Sequence, residues 1–441
     1  MNETQKRSLK DTKHEGFTFI EEDGGIQAWQ LDSNGLTVLL CPQGAARVAT
    51  LMITYKVGSR NERQGETGAT HFLEHMMFKG TSRYSKQSGT TIFNAIQAQG
   101  ARVNATTWND RTNYYELLPS SHLDLAIDIE ADRMRNLLLD PGEVESERSV
   151  ILNEFDGGEN EPYRKLYHAV WSTAFEAHTY HHPTIGWRSD IETITSEGLR
   201  GYYDRFYWPN NATVSVIGGF DAEQAMASIL NKFGSIPRGL DSEVDVVREP
   251  RQLGERTTVI RMAGGMPALL VGFKSPDAMN DRMNALHMAG LVLSHGRSSR
   301  LQQLMVDGGL ATSVSAGASS FRDPGLFTIF VALAPDVDMA EVERVLQEEL
   351  TLLASEPVSD RELERAMAKL EAETLYARDG SYSMASQLNE AIAAGDWKLY
   401  TRFLEGASKV TAEDIMEAAR STFKKEQSTT GIYEPLAAEV A

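Results

Sequence analysis

The sequence has almost no cysteine, fewer basic than acidic residues, and no long apolar run. Cys41 is the single cysteine among 441 residues, so an intramolecular disulfide is excluded and any metal site must use histidine and carboxylate ligands. Lys and Arg number 43 against 62 Asp and Glu, a net charge of −19. This excess of acids argues against a binder of nucleic acid and against docking on an anionic membrane surface.

No apolar run approaches the roughly 18 residues that a membrane span needs. The N-terminal stretch MNETQKRSLKDTKHEG lacks the apolar core of a secretory signal. We therefore expect a cytoplasmic protein, with the periplasm as the alternative if a signal peptide has been removed.

The composition that is present, 41% hydrophobic and 24% charged residues, is typical of a globular chain of about two to three domains. Strand-like runs rich in β-branched residues occur at 35–41, 48–58 and 211–220. Residues 232–256 combine Gly, Pro and charge, which predicts a linker. A further strand-like run at 267–276 opens the C-terminal half.

An internal similarity suggests that the two halves arose by duplication. The segment from Ile194, ITSEGLRGYYDRFY, aligns with that from Val410, VTAEDIMEAARSTF, so that Thr195 matches Thr411. Both segments are typical of an amphipathic helix with threonine at its N-cap. A second weak match, of Glu-Arg pairs at 147 and 364, falls at nearly the same offset. The alternative is a chance match.

The most specific feature is His71-Phe72-Leu73-Glu74-His75. Positions i, i+3 and i+4 share one face of a helix, so two imidazoles and a carboxylate would lie together. Two histidines four apart can bind one Zn²⁺ and leave the Glu as a general base. The order is the inverted HxxEH motif rather than HExxH. The alternative is a pair of ordinary surface histidines on a helix.

A catalytic zinc needs a third protein ligand, and the segment 143–155 offers acidic candidates. Glu147, Val150, Ile151 and Glu154 fall at i, i+3, i+4 and i+7, on one helical stripe. Carboxylates on a core-facing stripe are costly unless a cation or donors meet them, so we expect a metal there. The alternative is two exposed acids.

These motifs resemble the pitrilysin, insulysin and mitochondrial processing peptidase family of inverted-zincin metallopeptidases. The resemblance rests on HFLEHMMFKGT (71–81) and ERSVILNE (147–154) and is supported by shorter landmarks up to about residue 435. It implies an α+β fold of two homologous halves, each a mixed, mostly antiparallel sheet packed with helices. We expect a metallopeptidase domain over 17–231 and a metal-free homologue over 257–435, joined by the linker.

The resemblance also implies a role for each site residue. His71, His75 and Glu154 match the family's zinc ligands, Glu74 its general base, and Glu147 the acid that supports a ligand histidine. Asn104 and Ala105 lie where the family pairs its extended peptide substrate with an edge strand, a mode that tolerates many side chains. We therefore expect a zinc-dependent endopeptidase that uses a metal-activated water. The alternative without the resemblance is that Asn104 belongs to a turn or bulge.

One expected pair is missing from the C-terminal half. Single-chain members carry there an Arg and, seven residues later, a Tyr that help to hold the substrate, whereas this chain has Met305 and Thr312. We therefore expect a heterodimer in which a homologous, metal-free subunit supplies the Arg/Tyr pair. A homodimer is the alternative assembly, and a non-catalytic scaffold of the same fold is the alternative function.

A second cluster of histidines occurs in HTYHHP, at His178, His181 and His182. This spacing is typical of a loop rather than of one face of a helix. We expect a structural loop there, with a second metal site as the alternative.

Overall fold

The computed structural model describes residues 14–44, 46–241 and 246–436. Contacts within the chain define two compact units. The described parts of Met1–Val150, Ser189–Val244 and Ala377–Ala393 form the first unit, and those of Ile151–Arg188, Asp245–Tyr376 and Ala394–Ala441 form the second. No described helix is both long enough and apolar enough to cross a membrane.

The first unit contains a seven-stranded sheet in the order β1-β2-β3-β7-β4-β6-β5. Its strands are β1 (Phe17–Asp23), β2 (Ile26–Leu31), β3 (Thr37–Pro42), β4 (Val48–Tyr55), β5 (Arg102–Thr107), β6 (Thr112–Pro119) and β7 (Ala212–Gly218). All residues of β7 are buried, as expected for a central strand covered on both faces. The sequence pattern at 211–220 therefore marks the middle of the sheet.

Helices surround this sheet in the first unit. They are α1 (Ala69–Met76), α2 (Ile92–Gln97), α3 (Leu123–Asn136), the start of α4 (Pro141–Glu159), α6 (Arg188–Thr193), α7 (Ser196–Phe206), α8 (Ala222–Phe233) and α12 (Ser381–Ala394). Helix α5 (Pro162–Ala174) belongs to the second unit instead. The described residues between the end of α8 and residue 256 form no helix or strand.

The second unit contains a five-stranded sheet in the order β10-β11-β9-β12-β8. Its strands are β8 (Arg256–Ala263), β9 (Ala268–Lys274), β10 (Ala311–Ala318), β11 (Leu326–Leu333) and β12 (Ser428–Leu436), and its other helices are α9 (Met283–Ser294), α10 (Met339–Ser355), α11 (Asp360–Ala377), α13 (Lys398–Ser408) and α14 (Ala412–Thr422). One hydrophobic core joins α9, α10 and α14 to this sheet, and a smaller one joins α5 to it.

The second sheet repeats the topology of five of the seven strands of the first. In the first, β7 pairs parallel with β3 and antiparallel with β4, and in the second β12 pairs parallel with β8 and antiparallel with β9. Each of these central strands follows a helix capped by the threonine that the repeat predicts, Thr195 before α7 and Thr411 before α14. The remaining strand pairs in both sheets are antiparallel. The predicted α+β fold of two related halves is confirmed.

The compact units are interleaved along the chain, whereas the domains expected from the sequence are the contiguous ranges 17–231 and 257–435. Residues 151–188, which lie early in the chain, belong to the second unit, and residues 377–393, which lie late, belong to the first. Each unit thus contains a helix from the other half of the sequence, α5 in the second and α12 in the first.

Candidate metal centre and active site

Helix α1 carries the HxxEH motif, as predicted, and its N-terminus is capped from a distance. Gly68 precedes the helix with φ of 86°, a left-handed conformation that favours glycine. Glycine has no side chain that could cap the helix, and the buried carboxyl group of Glu62 accepts hydrogen bonds from the amides of Gly68 (2.9 Å) and Thr70 (2.8 Å) instead. Burial raises the pKa of Glu62 to about 8, although these backbone bonds oppose the rise.

Three predicted ligands converge. One ligand atom from each of His71, His75 and Glu154 lies within 4.8 Å of the other two, and no other group of three or more His, Cys, Asp or Glu does so among the described residues. Both histidines are partly buried on α1, whereas Glu154 is exposed on α4. Two imidazole nitrogens and one carboxylate oxygen are a donor set suited to Zn²⁺, so these residues fit a zinc site.

Glu147, on the same helical stripe of α4 as Glu154, contacts one of the two converging histidines. Its Oε1 lies 2.8 Å from Nδ1 of His75, and its Oε2 forms an ion pair with Lys79. Burial by itself would raise the pKa of Glu147, but the hydrogen bonds from His75 and Lys79 hold it below the usual value. A carboxylate on Nδ1 orients the ring so that Nε2 is the nitrogen left to ligate a metal.

The expectation that all four stripe residues face the core is wrong in part. Glu147 and Ile151 are buried, but Val150 is 48% exposed and Glu154 lies open to solvent. The packing around α4 covers only one side of the stripe, so Glu154 is exposed to solvent. Of the two acids, only Glu147 therefore loses hydration on burial. The positive charge of Lys79 offsets that cost. The metal inference rests instead on the convergence of ligand atoms.

Glu74 faces the strand at the edge of the first sheet. Oε2 of Glu74 accepts a hydrogen bond of 2.5 Å from the hydroxyl of Thr107, the last residue of β5. Among the described strands only β6 pairs with β5, so the other edge of β5 has no strand partner there. Asn104 is exposed and Ala105 buried on this strand, which places the predicted substrate-binding residues on an edge strand rather than in a turn.

A cavity of about 330 Å³ opens beside the motif. Two of its walls are the rings of Phe78 and Phe93, which stack with centroids 4.9 Å apart. The lining comprises Glu74, His75, Phe78, Lys79, Lys86, Thr91, Phe93, Asn104 and Glu147. The sequence reasoning did not identify Lys79, Phe93 or Thr107. Lys79 could have been found as the residue four positions after His75, on the same helical face.

The other predicted positions lie in the second unit. Met305 is fully buried, and the exposed Thr312 donates a hydrogen bond from its hydroxyl to the carbonyl of Ala332 (3.2 Å).

In the histidine-rich segment, Nε2 of His178 lies 2.9 Å from a carboxylate oxygen of Asp323, and Nδ1 of His178 accepts a hydrogen bond from the amide of Tyr180. Both ring nitrogens of His178 therefore have protein partners, which agrees with the prediction of a structural loop in this segment.

Two family models together match most of the chain. Residues 37–187 match the model described as "Insulinase (Peptidase family M16)", and residues 193–370 match "Peptidase M16 inactive domain". The converging residues His71, His75 and Glu154, together with Glu74 and Glu147, all lie within the first match.

Similar proteins cover nearly the whole length. "Zinc protease PqqE" of Helicobacter pylori is 27% identical over 409 residues, which is 91% of this chain and 91% of that protein. The crystal structure of a protease from Helicobacter pylori superposes with a TM-score of 0.87 at 25% identity, covering 94% of this chain and all of that one. The periplasmic protease PqqL from Escherichia coli shares the fold, with a TM-score of 0.76 at 20% identity, covering 96% of this chain and 50% of that one.

Proposed function

Because the chain belongs to peptidase family M16, we propose that it is a zinc-dependent endopeptidase that hydrolyses peptides or unfolded segments. The observation that carries the proposal is the convergence of the ligand atoms of His71, His75 and Glu154 within 4.8 Å. Relatives named zinc proteases support it. Glu74 lies on the same helix face as the two histidines, and its carboxyl group can serve as the acid–base group that hydrolysis needs.

The proposed mechanism divides the work among five side chains. His71, His75 and Glu154 would hold Zn²⁺, and Glu147 keeps the ring of His75 oriented through Nδ1. When bound, the metal would polarise the scissile carbonyl and make water a better nucleophile. Glu74 takes the proton from the attacking water and then delivers it to the leaving amine.

The edge of β5 is the proposed substrate platform. An extended peptide can add to the open edge of a sheet through main-chain hydrogen bonds. Asn104 and Ala105 on this strand would then set the register of the peptide beside Glu74. Because backbone pairing tolerates many side chains, we expect a broad substrate range rather than one motif.

The first test separates metal binding from chemistry. Glu74→Gln should retain about one zinc per chain and lose turnover of a peptide library, because the amide cannot take up a proton. His75→Ala should lose the zinc as well, measured by elemental analysis. If Glu74→Gln hydrolyses peptides as fast as the wild type, the proposed function is wrong.

The alternative function, a non-catalytic scaffold of the same fold, draws support from the match to the "inactive domain" description. That match covers residues 193–370, and none of the converging ligands lies there. A scaffold needs neither the three ligands nor Glu74. The absence of bound zinc in the natively purified protein, with no hydrolysis when zinc is added, would favour the scaffold.

We also propose that the chain works as a heterodimer with a homologous, metal-free subunit that supplies an Arg/Tyr pair. Buried Met305 and hydrogen-bonded Thr312 stand where the family resemblance places that pair. The same fold spans only half of the E. coli PqqL chain, which supports a second copy of the fold in the working enzyme. A homodimer is the alternative.

The assembly is tested by activity and by mass. The purified chain alone should cleave a peptide library weakly, and the natural partner, isolated by co-purification with the zinc-carrying chain, should raise turnover. Light scattering distinguishes a homodimer from a monomer that awaits its partner. Efficient turnover by the chain alone would overturn the heterodimer proposal.

A further inference from the structure

The carboxylate proposed to move the proton is held by the strand proposed to hold the peptide. The Thr107 hydroxyl donates to Oε2 of Glu74 at 2.5 Å, and α1 packs against β5. Successive side chains of a strand point to opposite faces, so Thr107 lies on the α1 side and Thr106 on the other. The end of β5 is thus contacted from both faces.

On the face opposite α1, Arg111 binds the end of β5. Its Nη1 donates to the carbonyl oxygen of Thr106 (2.9 Å), to the Thr106 hydroxyl (2.5 Å) and to Oδ1 of Asn113 (3.0 Å). Asn113 lies on β6, directly opposite Thr106 in the strand register. One guanidinium therefore links the last residues of β5 to their neighbouring strand.

The guanidinium is itself held by a helix from late in the chain. Oε1 of Glu390 on α12 accepts from Nε (3.1 Å) and Nη2 (2.5 Å) of Arg111. The adjacent Asn389 accepts a hydrogen bond of 2.8 Å from Thr54 on β4, which fixes α12 on the first sheet. A continuous set of hydrogen bonds runs from α12 through Arg111 to the end of the edge strand.

We propose that Thr107 is a positioning residue for Glu74, and that the Glu390–Arg111 pair fixes the strand end from which Thr107 acts. This inference rests on the proposed function of Glu74. A glutamate side chain has three rotatable bonds, so its carboxylate samples more rotamers when it loses a hydrogen bond that holds it. A hydrogen bond to an ionised group is stronger than one between neutral groups. The Thr107 hydroxyl therefore favours the Glu74 rotamer that places Oε2 beside it.

The first test removes the hydroxyl and then restores it. In the zinc-loaded full chain, with its partner if turnover requires one, Thr107→Val should lower kcat about ten- to a hundredfold, with KM and zinc content unchanged. Thr107→Ser should recover kcat to within about threefold of wild type, because the donor is restored. Thr257→Val, the same change at an exposed position of edge strand β8, is the matched control and should leave kcat unchanged.

A readout independent of turnover is the position of the Glu74 side chain. Crystal structures of the zinc-loaded Thr107→Val and Thr107→Ser variants should show Glu74 displaced or spread over rotamers in the first and ordered in the second. Wild-type placement of Glu74 in Thr107→Val would overturn the proposal, as would a loss of kcat that serine fails to recover. If Glu74→Gln is fully active, the proposed function fails, but these structures still decide whether Thr107 positions Glu74.

The second part is tested at α12. Glu390→Gln should speed amide hydrogen exchange in residues 102–112 and lower kcat about three- to tenfold, because a charge-assisted pair becomes a weaker neutral one. Ser386→Ala on the same helix is the control and should change neither measurement. Unaltered exchange in Glu390→Gln would refute the role of the Glu390–Arg111 pair.

Discussion

Glu147 is a buried acid beside the proposed zinc site, in a position to support that site without binding the metal. One of its oxygens meets Nδ1 of His75 and the other meets Lys79. The pairing keeps the carboxylate ionised and the imidazole in one orientation. Glu154 lies on the same helical stripe but is exposed, and one of its carboxylate oxygens lies within 4.8 Å of a ring nitrogen of each histidine.

At this scale we predict that Glu147→Gln weakens zinc binding about ten- to a hundredfold. The amide keeps the shape of the side chain but loses the negative charge that stabilises and orients His75. Competition with a chromophoric chelator measures the affinity. Glu145→Gln is the matched control, since Glu145 lies on the same helix but is exposed and pairs with Arg148 instead. Equal zinc affinities for the two variants would contradict the assigned role.

Among the elements, α1 depends on a carboxylate six to eight residues away for its N-terminal cap. Glu62 accepts from two of the first amides of the helix, which otherwise have no partner within the helix. Because this helix carries His71, Glu74 and His75, the cap fixes the first turn of the helix, just before these three residues.

The raised pKa of Glu62 predicts a pH dependence with a definite sign. A folded-state pKa of about 8, above that of the unfolded chain, means that the folded state binds the proton more tightly. The contribution of this group to stability is full below the unfolded pKa and declines as pH rises to about 8, by about 1 kcal/mol per pH unit.

Glu62→Gln should remove that decline, because the amide does not titrate. Urea unfolding at pH 5.5 and 7.5 measures the free energy of unfolding of both proteins. The stability of the variant relative to wild type should rise with pH, since the other titrating groups cancel in the difference. Parallel pH dependences of the two proteins would rule out this role for Glu62.

Several elements were predictable from local pattern. The HxxEH helix, the Thr195 and Thr411 N-caps and the buried strand at 211–220 were all identified correctly, because their signals lie within one or two turns of the chain. The stripe on α4 was misjudged because helical periodicity gives the angle between side chains but not which neighbours cover them. Val150 and Glu154 are exposed for that reason.

At the scale of the whole molecule, the division into two compact units does not follow the order of the sequence. The helix at 162–174 buries Leu166, Val170 and Trp171 in the core of the second unit, with strand residues such as Leu270 and Tyr433. The helix at 381–394 is bonded to the sheet of the first unit instead. Neither half of the sequence contains every element of its compact unit.

We therefore predict that a fragment spanning residues 17–231 does not fold by itself. It would expose the apolar face of α5 and would lack α12, and an uncovered apolar face promotes aggregation. Co-expression with a fragment spanning 232–436 should restore a soluble complex that binds zinc. Size-exclusion chromatography and circular dichroism measure both states. A monomeric 17–231 fragment that unfolds cooperatively would show that the interleaving is dispensable.

The sequence by itself determined which side chains could form a metal centre and where several of the helices and strands lie, because these follow from residue types at fixed local spacing. Only the tertiary structure decided which side chains contact these residues. Glu147 reaches His75 across 72 residues of chain, Thr107 reaches Glu74 across 33, and Glu390 reaches Arg111 across 279. Contacts at such separations depend on how the elements pack, and no local periodicity records them.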